Sequence, residues 1–186
     1  MLKLMKKKAK KNMVMNNNLL NLIFDDEAWK QKLADVDTLA NAVFEVALRF
    51  LSENDLGFEG WDNRPVSINL SLSNNEEVQK LNREFRAKDK PTNVLSFANI
   101  DDEGFEDEFL SADMIELGDI IMAFETLQNE ADIKKISLED HFAHLLVHGI
   151  LHLFGYDHQK DEETDEMEDI EINILEKMDI ANPYEE

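Results

Sequence analysis

The chain has 186 residues, 43% of them hydrophobic, and a net charge of −22 at pH 7. That length and composition fit one globular domain with its own core and exclude a wholly disordered chain. The absence of cysteine excludes a disulfide framework and thiolate metal ligands and is compatible with a reducing cytoplasm, and no apolar run approaches the ~20 residues a membrane-spanning helix needs.

The first eleven residues include six lysines, Lys3, Lys6, Lys7, Lys8, Lys10 and Lys11. Asn16, Asn17 and Asn18 follow where a secretory signal would carry its apolar segment. Residues 1–18 are therefore expected to form a disordered basic arm, with Met13 and Met15 as alternative starts, and residues 19–182 a single domain.

Leu19 to Phe24 reads as a short strand. Thr38 to Leu51 reads as a helix capped by Asp37, with Leu39, Val43, Val46, Ala47, Phe50 and Leu51 on its buried face. Gly57 and Gly60 mark a turn. Val66, Ile68, Leu70 and Leu72 alternate with Ser67, Asn69, Ser71 and Ser73, the pattern of a half-buried strand. Asn75 to Phe85 is expected to be a helix ending before Pro91, and Val94 to Ile100 a strand. Asp101 to Glu108, with six acidic residues in eight, is expected to be a loop. Ile115 to Ala123 reads as a strand interrupted by Gly118 and Asp119, and a short helix follows near Glu125 to Glu130. Ser137 and Asp140 form an S-x-x-D cap ahead of a helix that runs to about Phe154 and stops at Gly155. A last helix, about Asp161 to Met178, buries Met167, Ile170, Ile174 and Met178. The order mixes βα and ββ steps, which predicts an α+β fold: a small mixed four-stranded sheet covered by about five helices.

All five histidines lie between His141 and His158. His148 and His152 are four apart, so on a helix their imidazoles lie one above the other, roughly 6 Å apart, and reach one cation. Gly155 can turn the chain back and bring His158 to the same ion. Three neutral imidazoles with one open position are the ligand set of a catalytic zinc site, in which bound water becomes acidic near pH 7. Zinc is the expected ion, and nickel and copper also suit imidazole. His144 shares the face of His148 but lies a turn further back, so it is assigned to holding the site from behind rather than to a fourth ligand. His141 is expected to be exposed. The spacing also fits the metzincin pattern H-E-x-x-H-x-x-G-x-x-H except at one position, where the general-base glutamate is Gly149. Asp157 is an alternative proton acceptor, but orienting His158 is its better-supported role.

A surface this acidic repels nucleic acid on average, so any polyanion-binding face must be local. Five of the thirteen basic residues outside the arm fall together: Lys80, Arg83, Arg86, Lys88 and Lys90. Arginine presents a bidentate fork to phosphate, although a surface salt bridge is an equally good reading of Arg86 from its type alone. Thr92 and Ser96 are open to a substrate or a turn role, the turn being favoured for Thr92 after Pro91.

The run His148-Gly149-Ile150-Leu151-His152-Leu153-Phe154-Gly155-Tyr156-Asp157-His158 resembles the YbeY family of bacterial endoribonucleases, whose signature is H-G-x-L-H-L-x-G-Y-D-H. Asn82, Arg86, Asp89 and Lys90 through Phe97 resemble that family's N-x-x-x-R-x-x-D-x-P-T-D/N-V-L-S-F segment, and Leu117-Gly118-Asp119-Ile120 its L-G-D-I strand. The resemblance covers about residues 19 to 180. Ala98 departs from the family's usual proline, and the basic arm and acidic loop are unusual for it.

The resemblance implies a zincin-like domain with its metal site on a helix and the following loop. It also implies a metal-dependent endoribonuclease specific for single-stranded RNA, acting in ribosomal RNA processing at the 16S 3′ end and in ribosome quality control, in the cytoplasm and with no membrane association. It carries over His148, His152 and His158 as zinc ligands and Arg86 as a catalytic residue, with ribosomal RNA and the small subunit and its proteins as partners. Two alternatives stand beside it at this point: a zinc hydrolase of another class, such as a peptidase, and a non-catalytic ribosome-assembly factor whose metal only staples the fold.

Overall fold

The alternation at Val66, Ile68, Leu70 and Leu72 places four aliphatic side chains on one face of an extended segment, and all four are buried. That segment is β2 (Val66–Ser73), a central strand in the computed structural model, which describes residues 17–61, 64–158 and 160–185. Residues 1–16 of the expected basic arm lie outside the described residues. The other strands are β1 (Leu19–Phe24), β3 (Val94–Ala98) and β4 (Ile115–Ala123). Their order is β1-β2-β4-β3, with β1, β2 and β4 parallel and β3 antiparallel at one edge.

Parallel neighbours need long crossovers, and helices supply them. Between β1 and β2 come α1 (Ala28–Lys32) and α2 (Val36–Glu53). Between β2 and β4 come α3 (Asn75–Arg86), the edge strand β3, a short 3-10 turn (Asn99–Asp101) and α4 (Phe105–Ser111). After β4 the chain is helical: α5 (Phe124–Lys134), α6 (Leu138–Leu153) and α7 (Asp161–Glu176). The α+β class and the mixed four-stranded sheet agree with the sequence reading. Among the described residues there are seven helices against the expected five or so: α1 lies in a stretch to which the sequence reading assigns no element, and α4 in and just after the acidic segment read as a loop.

The core lies between the sheet and the layer of α2, α6 and α7. Apolar residues occur all round α6, and such a helix is buried on all sides. Phe142, Ala143, Leu146, Val147, Ile150 and Leu151 are all inaccessible. Trp29 on α1 anchors one end. Its indole N–H donates to the Ser73 carbonyl at 2.8 Å, and its ring meets Phe124 and Phe142 edge-on.

Several details differ from the sequence reading; the expected strand Val94 to Ile100, for one, ends at Ala98 and passes into the 3-10 turn. Helix α2 begins at Val36, so Asp37 lies in its first turn and Asp35 is the cap residue, with no side-chain capping bond. Its most buried face is Val36, Ala40, Val43, Phe44, Ala47, Leu48 and Leu51, while Leu39, Val46 and Phe50 are only partly covered; the small Ala40 and Ala47 let the helix approach the core on that side. The acidic segment folds in part because Phe105 and Phe109, one helical turn apart, both pack on Phe58, at 5.8 and 5.5 Å between ring centres.

Strand β4 is continuous across Gly118. An extra residue, Leu117, bulges between the pairs Ser67–Glu116 and Ile68–Gly118. Gly118 sits at φ +129 beneath the Phe97 carbonyl oxygen, which a Cβ would meet at 2.0 Å. Only glycine fits that close approach. It lets the antiparallel edge strand lie flat on β4.

Candidate metal centre

Helix α6 starts where the Ser137 hydroxyl accepts the Asp140 backbone N–H at 3.0 Å. Four turns later it ends in a Schellman closure: Tyr156 N–H donates to the Leu151 carbonyl at 3.1 Å and Gly155 N–H to the His152 carbonyl at 2.9 Å. Gly155 takes φ +89, which favours glycine. The chain therefore reverses at once, and His158 returns to the helix end that carries His148 and His152. Ring centres are 4.5 Å apart for His148–His152, 5.1 Å for His152–His158 and 5.4 Å for His148–His158. One ring nitrogen from each lies within 4.8 Å of the others, close enough to hold one metal ion.

The hydrogen bonds decide which nitrogens face inward. Nδ1 of His152 lies 2.9 Å from the Tyr156 carbonyl, which can only accept, so Nδ1 carries the proton. Nδ1 of His148 lies 2.8 Å from Glu171 Oε1, a carboxylate, so it too donates. Both Nε2 atoms then present lone pairs, and they face each other at 3.0 Å. Two lone pairs at that separation repel unless a cation lies between them. Tetrahedral zinc at about 2.0–2.1 Å from each ligand would set such nitrogens about 3.3 Å apart. Burial, together with the neighbouring His148, pushes the His152 imidazole down to about 4, which keeps it neutral and able to ligate near pH 7.

Glu171, from α7, is the residue that sequence reasoning passed over. It is 0% exposed. His144 Nε2 donates to it at 2.9 Å, His148 Nδ1 donates at 2.8 Å, and the Tyr184 hydroxyl donates as well. Burial alone would push its carboxyl up, but the bonds from His144, His148 and Tyr184 bring it down to about 2. No lysine or arginine is among its hydrogen-bond partners within the described residues. A buried negative charge one imidazole away from three neutral donors is the electrostatic complement of a cation. The donor set and its surroundings both fit a divalent metal.

His144 does hold the site from behind, as expected, through Glu171 rather than by touching a ligand. His141 corrects the reading: it is 1% exposed, with Nε2 2.8 Å from Glu130 Oε2. Its ring turns to Glu130 on the neighbouring α5 and not to solvent. Asp157 accepts the backbone N–H of His158 at 2.8 Å, so it shapes the loop that presents the third imidazole.

Gly149 packs against the sheet. A Cβ there would lie 3.0 Å from Ile120 Cδ1 and 3.2 Å from the Ser96 hydroxyl. The position that carries the general base in metzincin proteases is glycine here and turns toward the sheet, where even a Cβ would be tight.

Arg86 ends α3, is exposed, and donates through Nη2 to the Ser96 carbonyl at 3.1 Å. The Ser96 hydroxyl in turn abuts Gly149, the neighbour of His148. The three histidines are thus brought together, while Arg86 reaches the same part of the molecule across the edge strand and makes no direct bond to them. Its basic neighbours are partly occupied: Lys80 pairs with Glu76 and Glu77, and Arg83 with Asp89.

Among the described residues no helix is long and apolar enough to cross a membrane. The chain resembles the solution structure of a Thermotoga maritima protein, with a TM-score of 0.51 over 90% of this chain and 99% of that one; at 20% identity this likeness speaks to the fold alone. It is 38% identical to the endoribonuclease YbeY of Francisella tularensis subsp. tularensis over 94% of both chains. It is 41% identical to the endoribonuclease YbeY of Paramagnetospirillum magneticum over 86% of this chain and 91% of the relative. The family model described as endoribonuclease YbeY matches residues 23–179, a span that contains the histidine cluster, Glu171 and Arg86, and the chain belongs to that family.

Proposed function

We propose that this chain is a metal-dependent endoribonuclease that cuts single-stranded RNA and acts in ribosomal RNA maturation, at the 3′ end of 16S RNA, and in ribosome quality control in the cytoplasm. The domain of residues 19–182 carries the activity. His148, His152 and His158 hold the metal, zinc being the ion best suited to three imidazoles. The small ribosomal subunit and its proteins are the setting in which the RNA is met. The observation that carries the reading is the pair of Nε2 lone pairs 3.0 Å apart beside a buried carboxylate, within a chain of the YbeY family.

A divalent cation held by His148, His152 and His158 would supply a Lewis acid for a phosphoryl oxygen and would acidify a water molecule. The protein's own groups do the rest. The Tyr156 carbonyl and Glu171 fix the two helical imidazoles in the Nδ1–H form, so no change of tautomer accompanies binding. Arg86, held at the edge strand by one bond to Ser96, has further N–H donors to offer a phosphate as charge develops on it. Contacts of this kind bind the backbone without reading bases. The metzincin-like peptidase alternative lacks its base, because Gly149 faces Ile120 and Ser96.

Arg86→Ala is expected to lower cleavage of a single-stranded oligoribonucleotide by about 10²–10³-fold with metal content unchanged, and Arg86→Lys to restore only a small part. Steady-state kinetics beside elemental analysis checks this. An Arg86→Ala protein that cleaves at the wild-type rate would return Arg86 to a surface role.

A further inference from the structure

Tyr184 stands beside the histidines but is not one of the residues that could ligate a metal. It is 40% exposed. Its hydroxyl is tied to Glu171, its ring meets His144 edge-on at 5.5 Å, and its backbone N–H donates to the Asn182 side chain at 2.9 Å. The ring is therefore fixed in position while much of it stays open to solvent. It forms part of the walls of two grooves that share His148 and His158. One runs toward Thr164 and Glu168 and has the carboxylates of Glu168 and Glu171 in its lining. The other runs toward Asn93, Val94, Ile133 and Lys134.

We propose that Tyr184 is a stacking platform for the nucleobase next to the phosphate at the histidine site, and that the RNA strand leaves along the groove toward Asn93 and Lys134, a role that rests on the endoribonuclease reading. Charge separates the two sides: the first groove has Glu168 and Glu171 and no lysine or arginine in its lining, whereas the second sets Lys134 beside Glu130, whose carboxylate is already engaged by Asn93 and His141. The chosen groove is also amphipathic. Val94 and the 70% exposed Ile133 offer apolar surface to a base, and Lys134 offers a charge to the backbone. Base–aromatic stacking tolerates any base, in keeping with cleavage that depends on strandedness more than on sequence. The hydroxyl's tie to Glu171 fixes the ring before substrate arrives, which cuts the ordering cost of binding.

The test compares wild type, Tyr184→Phe and Tyr184→Leu, all metal-loaded, on a single-stranded oligoribonucleotide. It uses KM, kcat and metal affinity, together with RNA binding by anisotropy after chelation. Tyr184→Phe, which keeps the ring but loses its tie to Glu171, should raise KM only slightly. Tyr184→Leu should raise KM and weaken chelated binding by about tenfold, with metal affinity no lower than that of Tyr184→Phe, which loses the same bond to Glu171. An abasic residue at one position of the RNA should cost wild type about the same tenfold and cost Tyr184→Leu nothing further. The proposal is overturned if Phe and Leu variants lose metal affinity and activity alike, since the residue would then only support Glu171, or if no abasic position couples to Tyr184. Metal-loaded wild type that cleaves no RNA overturns the endoribonuclease reading instead; cleavage without coupling overturns the role of Tyr184 alone.

Discussion

His152→Ala is expected to abolish tight metal binding and to reduce RNA cleavage to that of the chelated wild-type protein. His152 is central to the cluster: its Nε2 lies 3.0 Å from that of His148, and its ring is 5.1 Å from that of His158. Its tautomer is fixed by the Tyr156 carbonyl, which belongs to the same turn that returns His158. Two imidazoles left behind make an incomplete site with too few protein ligands for catalytic zinc. The loss reads out in stability as well as in activity. A metal that binds only the folded state adds about 4 kcal/mol at a thousand times its dissociation constant. Wild type should gain that increment when metal is restored, and His152→Ala should gain almost none. Thermal denaturation with and without metal, beside a cleavage assay, measures both. A variant that still gains the full increment would place the metal elsewhere.

Glu171→Gln has the second large effect expected. The amide keeps the shape but loses the charge, and its NH₂ group confronts a donor where the carboxylate accepted one. The three bonds hold the carboxyl near 2, well below the usual 4.5. For a fully buried group that depression corresponds to about 3 kcal/mol of folding stability. The sign is that of any carboxylate with a depressed folded-state value. The contribution is complete above pH ~4.5, where the unfolded carboxyl is also ionised, and is lost as the pH falls from there toward 2. Glu171→Gln should therefore be less stable by about 3 kcal/mol at pH 7, with a smaller difference from wild type in acid. Metal affinity should drop by about 10- to 100-fold, the usual cost of losing the partner behind a ligating histidine. Denaturation at pH 7 and pH 3 and a competitive metal titration check the two halves separately. Equal stability of the two proteins at pH 7 would contradict this assignment.

The parts of the site that depend on local spacing were legible in the sequence. His148 and His152 share a helical face because they are four apart, and Gly155 supplies the reversal that returns His158. The strand at Val66–Ser73 announced itself by strict alternation, and the cap at Ser137 by its hydroxyl. What stayed hidden were residues whose role depends on another element. Glu171 is one of eight acidic residues between Asp161 and Glu171, and a run of that kind normally marks a solvated face. The cue was its phase: it lies four residues after Met167 and three before Ile174, both buried, so it belongs to the apolar stripe of α7 and not to its wet side. His141 had a similar cue, seven residues before His148 on the same face of a helix with apolar residues on every side. Tyr184 had none, for nothing in the sequence says that the tail after α7 folds back on Glu171. In the acidic segment the charges masked Phe105 and Phe109, whose four-residue spacing was the better guide to a short helix.

On the proposed reading, three histidines hold a metal that this protein uses to cut RNA. The most direct measurement is elemental analysis of purified wild-type protein, paired with cleavage of a single-stranded oligoribonucleotide by the same preparation before chelation, after chelation, and after metal is restored. One equivalent of zinc or another divalent transition metal per chain is expected, with cleavage lost on chelation and recovered on restoration. Cleavage that persists undiminished in metal-depleted protein, or metal-replete protein that leaves single-stranded RNA intact, would contradict it.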